Sequence, residues 1–202
     1  MKKARIAIMV SGGGTNLQAL IDAEQNGIIS SGKICLVISN NAGAFALERA
    51  KNASIDTAVV LKSDLGSQEA FEGRIKEYLT EYQIDFIVLA GFMSILSESF
   101  TREYPRRIIN VHPSLIPAFC GKGFYGLRVH QAAIDYGVKL TGATVHFVNE
   151  VPDGGEIIMQ KAVKIRENDT PETLQKRVMR LAEWKILPES VEKVCAELVR
   201  KD

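Results

Sequence analysis

Short apolar runs alternate with amphipathic stretches along this 202-residue chain, at a spacing of about 20–30 residues. This alternation is typical of strand–helix–strand units, which build a parallel sheet with helices packed on its faces. The predicted strands are Arg5–Val10, Ile34–Ser39, Thr57–Leu61, Asp85–Gly91, Ile108–His112, Gly142–Val148 and Glu156–Ile165. The predicted helices cover 16–25, 43–52, a segment from Ser67, 97–104, 127–136 and 171–199, the last divided in two by Pro188.

Composition predicts one globular domain over residues 1–202, because 46% of the residues are hydrophobic and 24% are charged. Lys and Arg total 25 against 24 Asp and Glu, and this balance argues against a protein that coats nucleic acid. The apolar run behind the basic start, Ile6 to Val10, is too short for a signal peptide or a membrane span. We therefore expect a cytoplasmic protein that does not act on a membrane.

Cysteine and histidine spacing disfavours a metal site. Cys35, Cys120 and Cys195 lie far apart and form no Cys-x-x-Cys pair, which argues against a disulfide framework and a cysteine-rich zinc site. The sequence contains no His-Glu-x-x-His pair and no Gly-x-Ser-x-Gly elbow. We expect chemistry without a metal.

Three adjacent glycines, Gly12, Gly13 and Gly14, follow the first predicted strand and precede Thr15 and Asn16 at the start of a helix. Glycines let a ligand approach the backbone, and a helix N-terminus offers free N–H groups and a partial positive charge. The loop therefore predicts a phosphate site. It lacks the lysine of an ATPase loop and the third glycine of the dinucleotide fingerprint. The alternative is a glycine-rich turn that binds no ligand.

Asn110 and His112 end a predicted strand, and residues two apart point to the same face. This strand end is where open parallel sheets bind ligands, and histidine readily moves protons near neutral pH. Asp153, in a glycine turn after a later strand, would favour the imidazolium form of His112 if the two met. The alternative is a structural histidine. We expect His130 on a surface helix and His146 packed or hydrogen bonded within a strand.

The chain resembles the folate-dependent formyltransferases along nearly its whole length. The segments that carry the resemblance are Ser11–Gln18, Ile38–Asn40, Val88–Met93, Asn110–Pro117, Gly142–Val148 and Asp153–Gly155. The His-Pro-Ser-Leu-x-Pro segment with a later Asp-Gly-Gly is specific to this group, and the glycine loop narrows it to those acting on glycinamide ribonucleotide. The resemblance implies a doubly wound α/β fold with a mostly parallel sheet. It also implies formyl transfer from 10-formyltetrahydrofolate to the amine of glycinamide ribonucleotide in purine synthesis.

The resemblance also implies a set of site residues. It assigns the phosphate to a half formed by about residues 1–100 and the folate and the chemistry to a half formed by about 101–202. Asn110, His112 and Asp153 match the family's catalytic trio, and Asn110 also lines its folate pocket. Glu183 resembles its acidic ribose contact, with a one-residue shift needed nearby. The remaining matches are Gly13, Gly14, Thr15 and Asn16 for the substrate, and Met93, Ser94, Ile95, Leu96, Asn149, Glu150 and Val151 for the folate.

Two positions depart from the family pattern, since Ser94 and Gln68 stand where basic residues are expected. The partners that the resemblance implies are small molecules only, with the enzyme a monomer or a homodimer. Three alternatives remain: a formyltransferase for another amine such as methionyl-tRNA, a formyltetrahydrofolate hydrolase, and a phosphate-binding module without chemistry. The first two carry an additional domain in the families concerned.

Overall fold

The computed structural model describes residues 2–201, with the side chain of Lys201 excepted. Within these residues, seven strands form one sheet in the order β3-β2-β1-β4-β5-β6-β7. The strands are β1 Ala4–Val10, β2 Gly32–Ser39, β3 Asp56–Val59, β4 Phe86–Leu89, β5 Ile108–His112, β6 Leu140–Phe147 and β7 Ile157–Lys164. The helices are α1 Thr15–Gln25, α2 Phe45–Asn52, α3 Lys62–Leu65, α4 Gln68–Glu81, α5 Glu98–Glu103, α6 Leu127–Tyr136, α7 Pro171–Val178 and α8 Trp184–Lys201.

The sheet is parallel from β3 to β5 and antiparallel at its other edge. β1 pairs with both β2 and β4, β4 pairs with β5, and all of these pairs are parallel. β6 runs antiparallel to β5, and β7 runs antiparallel to β6. The predicted fold class, a mostly parallel sheet flanked by helices, is confirmed. The carboxyl ends of the parallel strands β1, β4 and β5 therefore lie side by side at one end of the sheet. Open sheets of this kind bind ligands at that end.

Both faces of the sheet are buried along the central strands β1, β4 and β5, which explains their nearly continuous apolar runs. Alternate residues of β1 serve different faces: Ile8 packs into one cluster and Met9 into the other. The first cluster contains apolar residues of α1, α2, α7 and α8, and the second contains those of α4 and α5. Helices thus cover the sheet on each side. The functional loops lie at the carboxyl ends of its parallel strands.

The C-terminal helical region divides at a different place from the one predicted. Pro188 lies inside α8, and a π-helical segment at Met179–Glu183 separates α7 from α8. The prediction that Pro188 divides the helix was wrong. Pro188 is the fifth residue of α8, where it removes one backbone N–H donor near the start of the helix without ending it. Thr170 caps α7 with Pro171 as its first residue, as predicted.

His130 was predicted on a surface helix, and this was wrong. α6 packs against α7, and His130 is fully buried on the same face as Val129 and Ala133. Burial lowers the pKa of His130 to about 4, and nearby His112 adds to the effect. Neither ring nitrogen has a hydrogen-bond partner within residues 2–201.

The long loop predicted at residues 113–126 joins β5 to α6 and contains no helix or strand. Within the part of the chain that the structure describes, no helix is both long and apolar enough to cross a bilayer.

Candidate active site

The glycine loop leaves β1 and enters α1 through Gly14, whose φ of 70° is a left-handed conformation that favours glycine. A Cβ added at Gly14 would lie 2.6 Å from the Cβ of Ala46 in α2. The Arg49 side chain donates a 2.8 Å hydrogen bond from Nε to the Gly13 carbonyl and holds the loop from its other side. The sequence thus builds a fixed loop at the N-terminus of α1, a location suited to an anion.

Asn16 and Glu183 meet across the loop. Asn16 Nδ2 donates to Glu183 Oε2 at 2.8 Å, which brings the π segment over the start of α1. Burial raises the pKa of Glu183 to about 7, against the opposing effect of the Asn16 hydrogen bond. Asn16 Oδ1 is buried with no partner within residues 2–201. Two residues predicted to bind one substrate therefore lie together, although 167 positions separate them.

Asn110, His112 and Asp153 lie close together at the end of β5. His112 Nδ1 is 3.5 Å from Asp153 Oδ2, and both side chains are largely buried. His112 Nε2 is 2.8 Å from the Phe119 carbonyl of the 113–126 loop. The structure brings an amide, an imidazole and a carboxylate into one pocket.

The turn that carries Asp153 is held by close packing. Asp153 has a φ of 56° and accepts a 2.8 Å hydrogen bond on Oδ2 from the Gly121 N–H. A Cβ at Gly155 would lie 1.8 Å from the Phe147 carbonyl oxygen, so glycine is required there. Burial acts to raise the pKa of Asp153, but His146, His112 and the Gly121 N–H together hold it below its ordinary value. Asp153 is accordingly a carboxylate at neutral pH.

His146 is a member of this cluster that the sequence patterns did not single out. It pairs with Asn110 in the antiparallel register of β5 and β6, and its Nε2 lies 3.3 Å from Asn110 Nδ2. The same nitrogen lies 3.5 Å from Asp153 Oδ1. The prediction that His146 is packed or hydrogen bonded is confirmed. Its position opposite Asn110 depends on a strand register that the sequence does not reveal.

A cavity of about 130 Å³ opens beside the cluster. Its lining includes most of the predicted folate residues, namely Ser94, Ile95, Leu96, Asn149, Glu150 and Val151, together with Asn110, His146 and Asp153. Met93 does not line this cavity; its N–H donates to Ser11 Oγ at 2.8 Å and ties the segment to the glycine loop. The cavity thus lies between the trio and the predicted folate segments.

The two departures from the family pattern lie at this end of the molecule. Ser94 Oγ accepts a 2.7 Å hydrogen bond from Asn40 Nδ2. Gln68 donates from Nε2 to the Ile95 carbonyl at 3.1 Å, and its Oε1 accepts a 2.7 Å bond from Lys62 Nζ. Residues 2–201 contain no group of three His, Cys, Asp or Glu side chains placed to hold a metal ion.

The chain is similar to known proteins of one family. Residues 4–191 match the family described as formyl transferase. The chain belongs to this family. It is 44% identical to the phosphoribosylglycinamide formyltransferase of Haemophilus influenzae over 188 residues, 93% of this chain and 84% of that protein. The family resemblance found in the sequence is therefore confirmed. It extends to the subgroup whose members are named phosphoribosylglycinamide formyltransferase.

A solved structure and a longer relative support the same family assignment. The structure titled glycinamide ribonucleotide transformylase 1 from Symbiobacterium toebii superposes with a TM-score of 0.90 at 39% identity, covering 96% of this chain and 89% of that one. The trifunctional purine biosynthetic protein adenosine-3 of Bos taurus is 44% identical over 199 residues, 98% of this chain. The chain spans only 19% of the length of that trifunctional relative.

Proposed function

We propose that this member of the formyl transferase family transfers a formyl group from 10-formyltetrahydrofolate to the amine of glycinamide ribonucleotide, yielding formylglycinamide ribonucleotide and tetrahydrofolate in purine synthesis. The observation that carries the proposal is the cluster of buried His112 with partly buried Asn110 and Asp153, beside a cavity and at the same end of the parallel strands as the glycine loop. The names of the relatives that align along most of their length support it.

Asn110 and His112 act on the formyl oxygen. The substrate amine attacks the formyl carbon, and negative charge develops on that oxygen in a tetrahedral intermediate. The Asn110 amide and a protonated His112 donate hydrogen bonds to the oxygen, and well-placed donors of this kind contribute about 3–4 kcal/mol each. His112 Nδ1 faces Asp153 and Nε2 faces the Phe119 carbonyl, so His112 reaches the formyl oxygen through Nε2 when that oxygen replaces the carbonyl. The burial of His112 strengthens its interaction, because the dielectric constant around a buried group is low.

Asp153 and His112 manage charge and protons. The attacking amine must lose a proton, and the departing folate nitrogen must gain one. An ionised Asp153 at 3.5 Å from His112 Nδ1 stabilises the imidazolium. His112, or a water held by Asp153, carries the proton between the two nitrogens.

The glycine loop holds the other substrate. The N–H groups of Gly13, Gly14 and Thr15, with Asn16, bind the phosphate at the N-terminus of α1. Glu183, already bonded to Asn16, contacts the ribose hydroxyls. This arrangement fixes the amine beside the formyl donor and supplies the entropic part of the rate enhancement. The segments 93–96 and 149–151 receive the folate. We further propose action in the cytoplasm, as a monomer or homodimer, with small-molecule substrates, no metal, and neither nucleic acid nor membrane as a partner.

The deciding experiment is a formyl-transfer assay with and without glycinamide ribonucleotide, followed by the absorbance change as 10-formyltetrahydrofolate becomes tetrahydrofolate. We expect turnover only when the ribonucleotide is present, with formylglycinamide ribonucleotide detected by mass spectrometry. Folate turnover that does not require the ribonucleotide would indicate a hydrolase instead. Binding of both ligands without turnover would indicate a module without chemistry.

A further inference from the structure

His146 is a buried histidine in the pocket that the proposed chemistry leaves without a role. It is 2% exposed and lies on β6 directly opposite Asn110. The hydrogen bonds around its ring define what it can do, because each ring nitrogen has its own neighbours.

The first nitrogen carries a proton. His146 Nδ1 is 2.8 Å from the backbone carbonyl oxygen of Phe147. A carbonyl oxygen only accepts hydrogen bonds, so Nδ1 must be the donor. With the proton on Nδ1, the other nitrogen, Nε2, offers a lone pair.

The second nitrogen has two neighbours and can serve only one of them. Asn110 Nδ2 lies 3.3 Å away and is a donor, whereas Asp153 Oδ1 lies 3.5 Å away and is an acceptor. The Asn110 contact is the shorter. Asp153 also has other partners at its second oxygen, Oδ2. This atom accepts from the Gly121 N–H and faces His112 Nδ1. The lone pair of the neutral ring therefore serves Asn110, whereas a protonated ring would donate from Nε2 to Asp153 and is the form that lowers the pKa of Asp153.

We propose that His146 is a positioning residue for Asn110: its Nε2 accepts one amide N–H of Asn110 and so fixes which way the amide faces. The second N–H is then free to donate to the formyl oxygen. The reversed amide would place a carbonyl oxygen there, and that oxygen would repel the developing negative charge. This inference rests on the proposed formyl transfer for its catalytic consequence but not for its geometry.

The geometry can be tested in the unmodified protein. Long-range ¹H–¹⁵N NMR of the histidine-labelled protein at pH 7.5 reports which ring nitrogen carries a proton. We expect a single proton on His146 Nδ1. A proton on Nε2 would overturn the proposal, because that nitrogen could not accept from Asn110. The measurement needs no substrate, so its failure is distinct from a failure of the proposed activity.

Two variants test the consequence in the assay. His146→Gln keeps an acceptor oxygen the same number of bonds from Cβ as Nε2, whereas His146→Leu fills the space without one. We expect His146→Leu to reduce kcat by about tenfold or more with KM for glycinamide ribonucleotide unchanged, since small errors of alignment are costly. His146→Gln should retain most of the activity.

A double-variant comparison separates positioning from packing. In an Asn110→Ala background the His146→Leu change should have no additional effect on kcat, because the group that it positions is gone. A full additional effect there, or His146→Gln as slow as His146→Leu, would contradict the proposal. Circular dichroism and melting curves show whether each variant is folded, and if His146→Leu is not, the NMR result and His146→Gln decide.

Discussion

At the scale of single residues, one buried pocket combines groups with different electrical roles. Asn110 is a neutral donor, His112 can carry a positive charge, and Asp153 is held as a carboxylate by its surroundings. The pairing of a buried acid with two histidines makes this pocket sensitive to any substitution that changes charge without changing shape.

Replacing Asn110 or His112 by alanine removes one of the two proposed donors to the formyl oxygen. We expect Asn110→Ala and His112→Ala each to lower turnover by about a hundredfold or more, the scale of losing one such donor. Steady-state kinetics measure the effect, with circular dichroism to confirm folding. Near-normal turnover in a folded variant would remove that residue from the mechanism.

Replacing Asp153 by asparagine removes the charge that faces His112 while preserving size. We expect Asp153→Asn to lose most activity. Because the pKa of Asp153 is lowered in the folded state, its ionised form stabilises the protein above its ordinary pKa of 3.8, and this contribution disappears as the pH falls. Urea unfolding should show a deficit for Asp153→Asn at pH 7 that shrinks toward pH 3. An equal deficit at both pH values would contradict the electrostatic account.

Folding shifts the pKa of Glu183 in the opposite direction from that of Asp153. The Glu183 pKa rises from 4.5 to about 7 on folding, so as the pH rises through this interval the carboxyl ionises in the unfolded chain before it does in the folded one, and the protein loses stability. The effect is at most about 3 kcal/mol. We expect Glu183→Gln to remove this pH dependence in urea unfolding between pH 4.5 and 7. A wild-type-like dependence in the variant would mean that another group is responsible.

At the scale of elements, the sheet and most helices could be predicted, because the strands are short apolar runs and the apolar residues of the helices repeat with a period of 3.6. Two features do not follow from these patterns. The π segment at Met179–Glu183 has no distinct periodicity, so the sequence favours Pro188 as the place for a break. His130 is polar, and only the packing of α6 on α7 shows that its face is buried.

The glycine loop gives a test at this scale with a matched control. Gly14→Ala introduces a side chain at a left-handed residue and 2.6 Å from Ala46 Cβ, whereas a Cβ at Gly12 meets nothing within 4 Å. We expect Gly14→Ala to lower the melting temperature and raise KM for glycinamide ribonucleotide, with Gly12→Ala close to wild type in stability. Equal stability of the two variants would show that the loop tolerates a side chain at Gly14.

At the scale of the whole molecule, the two proposed substrate sites draw on distant parts of the chain. Sequence periodicity places Asn110 and His112 on one face of one strand, because they are two residues apart. Glu183 and the folate residues follow only from the family resemblance, since the sequence contains no signal for long-range contacts such as Asn16 with Glu183. His146 was missed for the same reason, as its partner is set by strand register.

Because the proposed ribonucleotide site joins Asn16 to the distant Glu183, we expect substrate binding to stabilise the entire fold. At a glycinamide ribonucleotide concentration of about 100 times Kd, we expect a gain of about 2.7 kcal/mol in the free energy of unfolding. The gain should largely vanish in Asn16→Ala, which removes both a loop contact and the bond to Glu183. Thermal unfolding with and without the ribonucleotide measures it. An undiminished shift in Asn16→Ala would place the ligand elsewhere.

The π segment determines whether α7 and α8 can both pack against the sheet. Each residue of an α-helix turns the chain by about 100°, so one additional residue would ordinarily rotate everything beyond it. The widened coil at Met179–Glu183 absorbs such a residue, letting α7 and α8 each keep an apolar side against the sheet while Glu183 reaches Asn16. Deleting a single position there would force a choice: either the Glu183 carboxyl swings away from Asn16 or the final helix presents the wrong side to its neighbours.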